Sequence, residues 1–93
     1  MINNTEEIVK LIQTGRWDEA KVAAKDSLGA SQAINGLKSL IKNGNIEKKE
    51  LEKLKSMKTG ISNLISSGWF SEYDSDYFKL LFTYIDIIEK EAI

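Results

Sequence analysis

The chain has 93 residues, 42% of them apolar, and a formal net charge of −1, which suits one small domain with a single modest core. It contains no Cys, no His and no Pro, and its only Arg is Arg16. Disulfide staples, thiolate zinc sites, cysteine nucleophiles and imidazole acids, bases or ligands are therefore excluded, and the expectation is a non-enzymatic protein with neither cofactor nor metal.

The opening MINNTEEIVK lacks a basic stretch followed by a continuous apolar run, so no secretion signal is expected and a cytoplasmic location is. A first helix is predicted over about 5–14, with Asn4 and Glu7 at capping-box spacing and Ile8, Leu11 and Ile12 on one face. It ends in LIQTG, the first of three Leu-Ile-polar-polar-Gly pentapeptides; the others are LIKNG, ending at Gly44, and LISSG, ending at Gly68. A Gly just after a periodic apolar segment reads as the left-handed residue that closes a helix, because it has no Cβ to clash there. Two positions after each Gly stands a large apolar residue, Trp17, Ile46 or Phe70, able to fold back over the helix end. Asp18, Glu47 or Ser71 follows as a start signal. All three copies thus read as helix stops of one design, at spacings of 29 and 24 residues that are too unequal for a solenoid.

The second helix is predicted over about 18–28, where Ala20, Ala23, Ala24 and Leu28 form a narrow face, with Gly29 as its stop. Ser31 would cap the third, about 31–43, whose stripe is Ala33, Leu37, Leu40 and Ile41. In the fourth, about 46–67, the 3.6-residue spacing of Leu51, Leu54, Met57, Ile61, Leu64 and Ile65 passes straight through Gly60, so one continuous helix is expected despite a glycine cost of about 1 kcal/mol. Its Lys residues alternate with Glu47, Glu50 and Glu52 at ion-pairing distances, the pattern of a solvated face.

The last helix, about 75–91, is predicted to be capped by Asp74 or Ser75. Its nine apolar residues, from Tyr77 to Ile88, cover an arc of roughly 220° on a helical wheel, about twice what a surface helix needs. It is interrupted by Lys79 and Asp86 and is too short to span a bilayer, so no membrane partner is expected. The fold class is therefore all-α: one compact five-helix bundle, with the C-terminal helix as its hydrophobic centre or as an assembly face.

Candidate contact residues cluster in SSGWFSEYDSDYF, where Trp69, Phe70, Tyr73 and Tyr77 alternate with Glu72 and Asp74. Aromatics offer large area at small entropic cost, and acids supply charge selectivity. Phe82, at one edge of the apolar arc, is the further interface candidate. The Asp74-Ser75-Asp76 run lacks the oxygen ladder and closing Glu of a calcium loop. Charge is polarised along the chain: seven Lys face three Glu between Lys38 and Lys58, whereas two Lys face six acids from Trp69 onward. That polarity makes antiparallel self-association an expectation as well.

Two local resemblances complete the reading. Gly15, Trp17, Asp18, Glu19, Ala20 and Leu28 in LIQTGRWDEAKVAAKDSL resemble the turn and second helix of a tetratricopeptide repeat, though Ile8 and Lys49 occupy positions where that family places small residues. Val22 to Gly44 resembles a helix-turn-helix DNA reader, with Ala24 and Leu28 before a turn at Gly29 and Ile34 and Leu37 after it. The second resemblance implies major-groove contacts by Ser31, Gln32, Asn35 and Lys38. The leading expectation is a small module that binds another protein, or a copy of itself, as a regulator, inhibitor or immunity-type factor; the alternative is DNA binding through residues 22–44.

Overall fold

Helix boundaries in the computed structural model, which describes residues 4–91, follow from where the unpaired backbone groups at each helix end find partners. The elements are α1 (Thr5–Gln13), α2 (Trp17–Ala23), α3 (Leu28–Leu40), a two-stranded hairpin of β1 (Ile41–Lys42) and β2 (Asn45–Ile46), α4 (Lys48–Ser66) and α5 (Glu72–Glu91). The fold is all-α apart from the hairpin.

Two of the three pentapeptides are helix stops. Gly15 has φ +76° and Gly68 φ +78°. At the first, the Gly15 N–H donates to Ile12 and the Arg16 N–H to Leu11, at 3.0 and 2.9 Å; at the second, Gly68 donates to Ile65 and Trp69 to Leu64, at 3.1 and 3.0 Å. These are the paired bonds of a Schellman closure.

LIKNG is different, and the expected helix over 31–43 is corrected here. α3 ends at Leu40, and Asn43 and Gly44, with φ +55° and +82°, form the turn of an antiparallel hairpin pairing Ile41 with Ile46 and Lys42 with Asn45. A two-residue hairpin turn of type I′ needs positive φ at both central residues, and Asn-Gly is a pair that tolerates it well. Asn43, which tolerates the left-handed region, makes this copy a hairpin where Thr14 and Ser67 make the others helix ends.

The boundary between α2 and α3 is also corrected. α2 ends at Ala23, and Ser27, not Ser31, caps α3: its Oγ accepts from the Ala30 N–H at 3.1 Å and donates to Asp76 Oδ2 at 2.8 Å. Gly29 is therefore not a stop but the second residue of α3 and is buried. A Cβ there would lie 2.0 Å from the Tyr73 carbonyl oxygen, so the absent side chain is what lets α3 approach the start of α5. Asn4 likewise departs from the expected capping box, its side-chain amide donating to the Ala23 carbonyl at 3.2 Å.

α4 runs unbroken through Gly60, as the spacing predicts. It begins at Lys48 and packs on α5 with its Leu51, Leu54 and Ile61 half-buried, and none of its residues is fully buried. α5 starts three residues before the expected position, capped by Ser71, whose Oγ accepts from the Asp74 N–H and donates to the Asp74 carboxylate, both at 3.2 Å.

α5 is the centre of the molecule. Leu80, Leu81, Phe82, Tyr84 and Ile85 are buried, and Tyr77, Phe78, Ile87 and Ile88 are half-buried against the same core. Ile8, Val9 and Ile12 of α1 and Ala30, Ala33, Ile34 and Leu37 of α3 close around it. The wide arc is thus consumed inside the chain. No described helix is long and apolar enough to cross a membrane.

Candidate functional site

The seven residues of the aromatic and acidic corner divide into two sets. Phe70, Tyr77 and Phe82 turn inward: Phe78 lies 5.5 Å from Phe70, 5.8 Å from Phe82 and 5.2 Å from Tyr77, centroid to centroid, forming a ladder along α5. At 5% exposure Phe82 is core, which corrects its assignment to an open interface edge. Trp69, Glu72, Tyr73 and Asp74 remain at the surface. Trp69 follows the Gly68 turn with 77% of its surface in water, and Tyr73, the second residue of α5, keeps 44%.

The structure adds two residues that the sequence reading did not single out as contacts, Leu28 and Asp26. Leu28 was expected on the packed face of α2; once Ser27 starts α3, it becomes the first helical residue, and it is 75% exposed. A shallow groove of about 240 Å³ runs between Leu28 and Tyr73, with Asp26, Glu72 and Asp76 among its lining residues. The Ser27 to Asp76 bond and the close approach of Gly29 to Tyr73 join its two walls. Finding Leu28 from sequence would have required choosing correctly between Ser27 and Ser31 as the cap.

No family model, curated protein or solved structure matches this chain.

The residues of the DNA-reading alternative are spread over α3. Ser31 donates its hydroxyl to the Ala24 carbonyl at 3.2 Å, tying it to the end of α2, whereas Gln32, Asn35 and Lys38 are exposed. The turn before α3 falls at 24–27, and the end of α3 that would lead into a groove is flanked by Asp26, Glu72 and Asp76, carboxylates that phosphates repel.

The charge polarity is answered within the chain. α4 and α5 lie antiparallel, with Lys55 3.1 Å from Glu89 and Lys58 paired with Asp86. Those pairs use four of the charges on which antiparallel self-association was expected to draw.

A second concavity, of about 440 Å³, opens beneath the hairpin between Gln13, Ile46, Leu51, Tyr84 and Ile88. Burial raises the Tyr84 phenol above its ordinary value of 10.0, so at neutral pH it presents a neutral hydroxyl. Among the described residues, no three carboxylates gather as metal ligands.

Proposed function

We propose that this chain is a non-enzymatic module that binds another protein through the corner built by Leu28, Trp69 and Tyr73, acting as a regulator, inhibitor or immunity-type factor. The observation that carries the reading is the exposure of the Trp69 indole, 77%, directly beside Phe70, which the same turn folds onto Phe78. Burying a large aromatic is worth roughly 2–3 kcal/mol, so a small domain that leaves one in water forgoes a sizeable share of its stability. Trp and Tyr are also the residues most enriched at binding hot spots. Leu28, exposed on the start of α3, lines the same shallow groove as Tyr73 and adds apolar area there.

The test is capture of the native partner from the source cell by immobilised protein, comparing the wild type with Trp69→Ala/Tyr73→Ala. Capture should be lost while far-ultraviolet circular dichroism stays unchanged. Undiminished capture by the double variant contradicts the assignment. Asp74 is left intact because its carboxylate belongs to the α5 cap.

A further inference from the structure

Tyr84, on α5, is only 3% exposed, yet its hydroxyl has no hydrogen-bond partner among the described residues. No polar side-chain atom of the described residues is both sealed from solvent and unpaired, so that hydroxyl keeps an open face. Two spaces adjoin it. One is the concavity beneath the hairpin; the other, of about 390 Å³, is bordered by Ile12, Gly15, Trp17, Lys38 and Ile41. Gln13, Gly44 and Tyr84 line both.

The neighbouring concavity combines three features that suit one kind of ligand. Its apolar lining is Ile12, Trp17 and Ile41, with the indole half-buried and so already held against the core. Lys38 is the one charged side chain among its described lining residues, and it has no ion pair with any of them. The acids nearby, Glu89 and Glu91, line the concavity beneath the hairpin instead, where Glu89 pairs with Lys55 and Glu91 accepts from Gln13 Nε2 at 2.6 Å. Burial keeps the Tyr84 phenol protonated at neutral pH, so it can donate. We propose that this concavity is a binding site for a small aromatic carboxylate, whose carboxylate accepts from the Tyr84 hydroxyl and the Lys38 ammonium while its ring lies against Trp17 and Ile41. The volume falls within the range of roughly 300–1,000 Å³ usual for small-ligand pockets, in which a few polar groups orient a molecule held by apolar walls. Tyr84 lies about three helical turns along α5 from Tyr73, so this site and the docking corner are independent and neither reading needs the other.

Three ligands of one shape test the inference: 1-naphthylacetate, 1-naphthylacetamide and 1-naphthylmethylamine, with affinity measured by calorimetry and location by amide chemical shifts. The carboxylate should bind and move the signals of Gly15, Trp17, Ile41 and Gly44, the amide should bind about tenfold more weakly or worse, and the amine should not bind. Lys38→Met and Tyr84→Phe should each weaken the carboxylate about tenfold, the scale of a hydrogen bond to a charged group, whereas Lys53→Met on the exposed face of α4 should leave it unchanged. Lys38 is exposed, so its variant keeps the fold and decides the matter even where Tyr84→Phe disturbs the core. Equal affinity for the carboxylate and the amide, or preference for the amine, would overturn the anion assignment. Absence of binding, shifts confined to another part of the molecule, or undiminished affinity in a folded Lys38→Met or Tyr84→Phe would refute the site.

Discussion

Gly29 and Gly60 are both helical, yet the space around them dictates opposite responses to a methyl group. At Gly29 the added Cβ meets the Tyr73 carbonyl at 2.0 Å, a backbone atom that cannot swing aside, so α3 and α5 must separate. Gly29→Ala is expected to cost about 1–3 kcal/mol, the usual scale of overpacking. At Gly60 nothing lies within 4 Å, and Gly60→Ala should stabilise by about 1 kcal/mol through helix propensity alone. In a chain of this size, 1 kcal/mol moves the melting temperature by about 4–8 °C, so thermal melts should shift in opposite directions for the two variants. Tyr84 supplies a pH dependence. Its phenol is held above 10.0 by burial, so the folded state keeps a proton that the unfolded chain releases. The stability tied to that proton is fully present below pH 10 and is lost as pH rises through the folded value. An alkaline unfolding series should show this decline, and Tyr84→Phe should flatten it.

Among the elements, α5 was the most legible in sequence because nine apolar residues at helical spacing outweigh any local ambiguity; only its start was misplaced, since Asp74, Ser75 and Ser71 are all credible caps. The start of α3 was not legible for a deeper reason. Ser27 and Ser31 are equally good caps by residue type, and what selects Ser27 is Asp76, which is distant in sequence and buried beside it. Gly29 misled in the same way, because a glycine that ends a helix and one that admits another backbone look identical without the second backbone. The hairpin was readable: Asn43-Gly44 is the strongest two-residue hairpin signal, and the repetition of Leu-Ile-polar-polar-Gly obscured it. In the candidate site, Trp69 and Tyr73 were legible as exposed aromatics; Leu28 and Asp26 were not, because their placement depends on that same helix start. α4 carries an element-scale prediction. With no buried residue and α5 as its main packing partner, it should open locally, so its amides exchange faster than those of α3 and α5 in native-state hydrogen exchange. Equal protection of α4 and α5 would contradict that order.

On the scale of the whole molecule, the chain divides its apolar residues into two pools. One is spent on wrapping α5, whose arc α1, α3 and α4 cover. The other stands in water; besides Val22 it holds Trp69 and Leu28, the latter lining the groove between the starts of α3 and α5. If the second pool is reserved for a partner, removing it should leave folding untouched. The most direct measurement is a thermal or denaturant melt of Leu28→Ser/Trp69→Ser. Exposed substitutions away from packing change stability by no more than about 0.5 kcal/mol each, so the double variant should melt within a few degrees of the wild type. A loss of about 2 kcal/mol or more would show that both side chains are part of the core, and the corner could not then be a surface set aside for docking.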